Sequence, residues 1–365
     1  MHIGVNFGFG RFDTSVSEYE VVTGETKLAL LAEPLGYDSV WAVEHHFTDY
    51  SFMPDNVQWL SYIAARTERI GLGTGAVIIP WNDPLRVASK LLLLDNLSDG
   101  RVIFGMGRGV ARVEFEGMRI PVGESRERVD EAVPMILEAL ETGFIEGDGP
   151  YYVQPRRQLK PGPIRTFTDR VYTVAGSEDS IIAAVKNRVS VMSFILRPVD
   201  KLVETFDIYN KLWRETWDDE PNPICINANM YCHEDPTLAK DRMYEYIGNF
   251  WQQNVDHYEF LGDHFAKQKG YERYAEKAEA LRSKGVEQAG KDYADAALYG
   301  TPQQLIDKLS WMQDVMGQFE LVVAPCFGGM PQSMAEESLR LFADKVMPHA
   351  RENYDGRTAA GEKAR

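Results

Sequence analysis

Short runs rich in Val, Ile and aromatic residues alternate with stretches of helical spacing from one end of the chain to the other. That alternation leaves few folds open, because parallel strands need long crossovers and such crossovers are usually helices. Eight runs read as strands: Ile3–Phe7, Ser39–Val43, Ile70–Ile79, Arg101–Met106, Val171–Ala175, Val189–Ile195, Ile224–Tyr231 and Glu320–Ala324. Glu18–Leu35, Trp59–Thr67, Leu85–Leu97, Ser125–Thr142, Val199–Trp217 and Pro302–Val315 read as helices between them, with Ser333–His349 closing the outer ring. Eight strands, each followed by a helix, is the count of an α/β fold of the (β/α)8 TIM-barrel type. The competing arrangement is an open doubly wound sheet, whose dinucleotide fingerprint is G-x-G-x-x-G between a first strand and helix. The glycines at 71, 73 and 75 and at 105, 107 and 109 have the wrong spacing for it.

One barrel domain is expected over residues 1–350, with a polar tail over 351–365. Residues 262–300, rich in charge and Ala and flanked by Gly, fall between the seventh and eighth strands. That is the barrel face where loops build active sites, so the segment reads either as a solvated helical insertion or as a mobile lid that excludes water. Its basic residues, among them Arg282, Lys284 and Lys291, could meet a carboxylated substrate or simply face solvent.

With 39 Lys and Arg against 55 Asp and Glu, the 365-residue chain carries a formal charge of −16. An acidic surface repels nucleic acid and anionic membranes, so neither is expected as a partner. Three cysteines with no C-x-x-C pair suggest neither a disulfide framework nor a metal knuckle. The first residues lack a basic stretch followed by an apolar one, and no apolar run approaches the ~20 residues that cross a bilayer. A reduced, cytoplasmic protein is the expectation.

Three clusters could carry chemistry. Trp41-Ala42-Val43-Glu44-His45-His46-Phe47 ends the second strand, where barrel enzymes place catalysis. A histidine there can act as general acid or base, or it can be a polar strand-end residue bonded in the wall. His45 and His46 point to opposite sides of a strand, so they do not share a metal ion, and no metal is expected. In Phe104-Gly105-Met106-Gly107-Arg108-Gly109, the glycines allow close backbone approach to a flat or anionic ligand, and Arg108 could reach a phosphate. The alternative is a strand-to-helix turn with a surface arginine. Arg126 opens the next long helix, where a cation is misplaced unless an anion sits nearby. Ala175-Gly176-Ser177-Glu178-Asp179-Ser180 follows the fifth strand and offers backbone N–H groups at a helix start, or else plain N-capping by Ser177.

Taken together these stretches resemble the bacterial luciferase-like, flavin-dependent monooxygenase family. The likeness runs through Leu35-Gly36-Tyr37-Asp38-Ser39-Val40-Trp41, Glu44-His45-His46-Phe47-Thr48, and Ile70 to Pro80. It continues in Asp83-Pro84-Leu85-Arg86, Leu94 to Arg101, Phe104 to Gly109, Tyr299-Gly300-Thr301-Pro302, Phe327 to Pro331 and Phe342 to Pro348. The resemblance implies reduced FMN bound at the barrel mouth, reaction with O2 as co-substrate, and a C4a-peroxyflavin that oxygenates a small organic molecule. It implies His45 as the acid–base group, and Arg108 and Arg126 on the FMN phosphate with help from Ala175, Gly176, Ser177 and Ser180. It also implies a non-prolyl cis bond at Gly75–Ala76 beneath the flavin ring, a separate NAD(P)H:flavin reductase that supplies FMNH2, and a homodimer. Within the superfamily, a deazaflavin (F420)-dependent hydride transfer is the second reading, and a non-catalytic flavin-binding subunit the third. Gly107 stands where light-emitting luciferases carry a reactive cysteine, Ala111 where they carry a tyrosine, and Gly176 where an acidic residue is usual. Light emission is therefore not expected, and the smaller residues at 107 and 111 suggest room for a cyclic substrate.

Overall fold

Eight parallel strands close on themselves in the computed structural model, which describes residues 1–195, 199–267 and 271–352. They are β1 (Ile3–Phe7), β2 (Ser39–Ala42), β3 (Gly71–Thr74), β4 (Val102–Gly107), β5 (Val171–Val174), β6 (Ser190–Phe194), β7 (Ile224–Cys232) and β8 (Phe319–Ala324). Each pairs in parallel with the next, and β8 returns to β1 with Leu321 opposite Ile3 and Val323 opposite Val5. Helices surround the closed sheet, so the chain is a (β/α)8 barrel.

Strands covered on both faces read as continuous apolar runs, which is why β1 and β7 are buried at every position. Inside the barrel, Trp41, Ile103, Tyr172, Met192, Cys225 and Val322 form one packed layer, one residue from each of six strands. Trp41 needs a glycine opposite, since a Cβ at Gly73 would overlap its indole ring. Between sheet and helices runs a second, larger core that includes Val5, Val40, Leu91, Phe104, Ile226 and Leu321.

Caps set the helix starts. Ser17 and Glu20 form a reciprocal capping box on Glu18–Ala32, Asp83 caps Pro84–Leu97, and Thr301 with Gln304 caps Pro302–Met316. The latter two helices carry Pro at the first turn, where its missing N–H costs nothing.

The structure differs from the sequence reading in several places. The run Ile70–Ile79 is broken at Gly75–Ala76, which separates β3 from the two-residue strand Val77–Ile78. The second helix is Asn56–Ala64, because Asp55 caps it through the Gln58 N–H. An antiparallel hairpin, Phe144–Asp148 with Val153–Gln158, lies outside the barrel and was not expected; its strands are largely polar and exposed. Helices Arg112–Met118 and Pro236–His257 add to the helical segments named from the sequence. Between β7 and β8, the stretch 262–300 contains helices Glu272–Lys284 and Val286–Ala296, and then Leu298–Gly300, which pairs with the end of β7. Of the tail expected over 351–365, positions from 353 onward lie outside the described residues. Among the described residues, no helix is long and apolar enough to cross a membrane.

Candidate active site

The residues singled out in the sequence stand just beyond the C-terminal ends of four neighbouring strands. Ala42 of β2 is opposite Thr74 of β3, Gly73 is opposite Ile103 of β4, and Met106 is opposite Thr173 of β5. His45, Gly75–Ala76, Arg108 and the 175–180 turn therefore follow one another around the rim, where barrel enzymes build their sites.

His45 and His46 turn to different partners. His46 Nε2 lies 3.4 Å from Glu44 Oε1, and the Glu44 carboxylate also accepts from the Ile78 N–H (2.8 Å) and Asn82 Nδ2 (2.9 Å). Glu44 thus ties β2 to the strand that follows the Gly75–Ala76 bond. His45 faces a separate group. Its Nδ1 is 2.9 Å from Oε1 of Glu114, which sits on the short helix Arg112–Met118. The same oxygen accepts the His46 backbone N–H at 2.8 Å. His257, on the last turn of Pro236–His257, brings Nε2 to 3.5 Å from the other Glu114 oxygen, while its Nδ1 is 2.7 Å from Thr48 Oγ1. Arg112 ties the first of these helices to the end of the second by pairing with Glu259, two residues past His257, through Nε at 2.8 Å and Nη2 at 2.5 Å. The Tyr50 ring stacks on His257 at 4.6 Å and meets His45 edge-on at 5.1 Å.

Burial and charge act in opposite directions here. Burial pushes the Glu114 carboxyl up, but His45 and His257 together overcome it and hold it down at about 2. For His257 burial dominates and lowers its pKa despite Glu114. Burial raises the hydroxyls of Tyr50 and Tyr258. The cluster is thus an ionised carboxylate between two imidazoles, lined by neutral phenols. One donor atom from each of His45, Glu114 and His257 lies within 4.8 Å of the others, close enough to gather a metal ion. The 2.9 Å approach of His45 to Glu114 is itself hydrogen-bond geometry.

The Gly75–Ala76 peptide bond is cis, where the resemblance implies one. Its surroundings hold it from both sides: Gly75 N–H donates to Ala42 O at 2.8 Å, and Asn56 Nδ2 donates to Ala76 O at 3.1 Å. A methyl placed on Gly107 would lie 3.6 Å from Ala76 Cβ and 3.1 Å from Ile78 Cδ1, so the floor and β4 meet there. Beside Gly75, the buried Asn6 Oδ1 has no hydrogen-bond partner among the described residues. Ala111 is wholly buried before the Arg112–Met118 helix.

Arg108 and Arg126 are brought together around a residue the sequence did not single out. The Arg108 guanidinium lies over the Tyr271 ring. The Tyr271 hydroxyl donates to Gly109 O (3.0 Å) and lies 3.1 Å from Ser125 Oγ, next to Arg126. Burial raises the Tyr271 pKa, while Arg108, Ser125 and Arg126 pull it down. At the 175–180 turn, Ser180 Oγ accepts the N–H groups of Gly176 (3.1 Å) and Ser177 (3.0 Å), and Ser177 caps the helix Glu178–Lys186. Ala175 is buried behind it. In the 262–300 segment, Arg282 pairs with Glu279 at 2.8 Å and Lys291 with Glu287 at 2.7 Å on their own helices, while Lys284 pairs with Asp292 of the following helix, so these cations serve acids of the segment itself.

Glu114, His257 and Tyr271 are thus the site residues that sequence reasoning missed. For His257 a signal existed: Asp235-Pro236 is a helix start, and Ala239, Met243, Tyr246, Ile247 and Val255 give the helix a buried face that ends beside His257.

A family model described as luciferase-like monooxygenase matches residues 1–318. The chain is 26% identical over 344 residues to the alkanal monooxygenase alpha chain of Photorhabdus luminescens, covering 92% of this chain and 93% of that one. Among solved structures it resembles the monooxygenase RslO1 from Streptomyces bottropensis, with TM-score 0.74, 26% identity, and coverage of 96% and 99%. The oxygenating constituent of 3,6-diketocamphane monooxygenase from Pseudomonas putida, in complex with FMN, shares the fold at TM-score 0.73 and 17% identity, covering 96% and 98%. An F420-dependent secondary alcohol dehydrogenase shares it at TM-score 0.70 and 16% identity, covering 96% and 99%.

Proposed function

The chain belongs to the luciferase-like monooxygenase family, and from that premise we propose that it is the oxygenating component of a two-component FMN monooxygenase. In this reading it takes reduced FMN from a separate NAD(P)H:flavin reductase and adds one atom of O2 to a small organic substrate. The observation that carries the reading is the order around the rim: the imidazole of His45, the Gly75–Ala76 floor and the guanidinium of Arg108 beyond neighbouring strand ends, with Arg126 brought beside Arg108 at Tyr271. The residues fit the cofactor. A flat ring can rest on Gly75–Ala76, where glycine at 75 and 107 keeps side chains away and the buried Asn6 Oδ1 is an acceptor in need of a donor. Arg108 and Arg126 would hold the phosphate, with the Ser177–Ser180 turn as a further anchor. When bound, reduced FMN supplies the electrons that activate O2.

The chain's own work is then to orient, to dry and to move a proton. His45 takes a proton from, or returns one to, the reacting molecule. Helices Glu272–Lys284 and Val286–Ala296 lie between β7 and β8, on the loop side of the barrel, where the segment 262–300 would shield the mouth from water. The likeness to an F420-dependent dehydrogenase supports a second reading, hydride transfer without oxygen. Oxygen uptake separates the two: with a generic flavin reductase, FMN and a panel of cyclic and carboxylated substrates, the monooxygenase consumes O2 in step with product. Under hydride transfer, O2 uptake stays at the rate at which free reduced FMN autoxidises and does not track product. His45→Ala should abolish product and leave FMN binding nearly unchanged; retained product removes the acid–base role. The reading includes a cytoplasmic homodimer, which light scattering tests by a mass of about twice the chain's.

A further inference from the structure

We infer that Glu114 is a positioning residue that holds His45 in its Nδ1–H tautomer and shares the same carboxylate with a second imidazole, His257. The inference rests on the reading of His45 as the acid–base group, and assigns the groups that prepare it.

Oε1 of Glu114 receives two nitrogens, the His46 backbone N–H at 2.8 Å and His45 Nδ1 at 2.9 Å. An oxygen facing two nitrogens, one of them an obligate donor, acts as an acceptor, so the proton between His45 and Glu114 sits on Nδ1. A neutral His45 then has its lone pair on Nε2, at the far edge of the ring. The His45 side chain is 16% exposed and that of Glu114 only 1%. Since Nδ1 is turned to the buried carboxylate, the accessible edge is the one bearing Nε2. The wall thereby points the basic nitrogen toward the rim and its protonated partner away from it.

Oε2 of Glu114 faces His257 Nε2 at 3.5 Å. His257 is fixed at its other nitrogen by Thr48 and on its face by Tyr50. The groups facing this array from neighbouring elements are Tyr50, Tyr258 and Glu259, the last already paired with Arg112. One carboxylate is thus available to balance the charge His45 gains on protonation, and burial keeps His257 neutral so that it does not compete. In that step one proton passes from the reacting molecule to His45 Nε2, the Nδ1 proton stays, and no bond forms between protein and substrate.

The test reads the tautomer without cofactor. Long-range 1H–15N correlation on histidine-labelled apoprotein at mildly alkaline pH, with His45 identified by its loss in His45→Asn, should show the Nδ1–H pattern. In Glu114→Gln the His45 pattern should move toward the Nε2–H form and the His257 signals should shift. His2 and His233, which bond to Ser39 and Asp235, and His349, which lies 3.6 Å from Glu352, should stay in place. Glu114→Asp, which keeps the charge, should restore part of the wild-type pattern. An Nε2–H tautomer in the unsubstituted protein overturns the inference without any variant, and an unmoved His45 in Glu114→Gln overturns it as well. With reductase and FMN, Glu114→Gln should lower product formation at least about tenfold at unchanged FMN affinity; full product formation there removes the positioning role. If instead the tautomer behaves as expected but His45→Ala retains product, the oxygenase reading of His45 fails while the bridge itself stands.

Discussion

The guanidinium of Arg108 lies 4.3 Å from the centroid of the Tyr271 ring. One residue follows β4 at the rim, and the other belongs to the 262–300 segment, so this contact joins the barrel rim to that segment. Tyr271 is buried to 1% exposure, and a desolvated cation–π pair of this kind is worth roughly 0.5–2 kcal/mol. A double-mutant cycle of Arg108→Ala and Tyr271→Ala, followed by urea unfolding, should return a coupling energy in that range. Strict additivity would mean the two side chains are neighbours without interaction.

Arg108 also bears on cofactor binding. Arg108→Ala should weaken FMN binding by about 1.5–3 kcal/mol, the worth of a hydrogen bond to a charged group. Calorimetry should therefore read a Kd raised roughly ten- to 150-fold. An unchanged Kd moves the phosphate elsewhere on the rim.

Glu25 predicts a pH effect on stability. Its carboxyl is buried on helix Glu18–Ala32 and accepts the Phe9 N–H at 2.9 Å; burial pushes its pKa up to about 8 against two backbone hydrogen bonds. A carboxyl whose folded value is raised contributes stability in full below its unfolded value of 4.5 and loses it as pH rises through about 8. Glu25→Gln keeps an acceptor for Phe9 and removes the ionisation. The variant should match the parent near pH 4.5 and exceed it increasingly toward pH 8, by roughly 2–4 kcal/mol at neutrality. Thermal melts across that range check it, and a pH-independent difference between the two proteins contradicts the assignment.

The barrel was legible because its strands are buried on both faces, so β1, β7 and β8 stand out as apolar runs and the observed bounds fall within one residue of those expected. Caps such as Asp83-Pro84 and Thr301-Pro302 marked helix starts for the same local reason. The hairpin Phe144–Asp148 and Val153–Gln158 was not legible, since exposed polar strands carry no alternation to read. The site was half legible. His45 and Arg108 stand in short motifs at strand ends, whereas Glu114 meets His45 across 69 positions and is one acid among 55. Tyr271 reaches the Gly109 carbonyl across 162 positions. Nothing local distinguishes such residues; only the closure of the barrel brings them to the rim.

Asp95 and Arg170 show how a motif can serve the scaffold rather than the reaction. Arg170 Nη1 donates to Asp95 Oδ1 at 2.8 Å, to Val102 O at 2.8 Å and to Gly100 O at 3.0 Å, with both side chains out of water. Asp95 Oδ1 also receives the Val102 N–H at 3.2 Å, so the pair locks the end of Pro84–Leu97 to the start of β4 and the residue preceding β5. Asp95→Ala leaves a buried guanidinium without its counter-charge, and should cost about 3–5 kcal/mol in urea unfolding. Replacing both members, Asp95→Leu with Arg170→Met, removes the stranded charge and should cost less than the single change, because the desolvation penalty goes with the pair. A double variant weaker than Asp95→Ala alone would show that the carbonyls of Gly100 and Val102 depend on Arg170 more than Arg170 depends on Asp95.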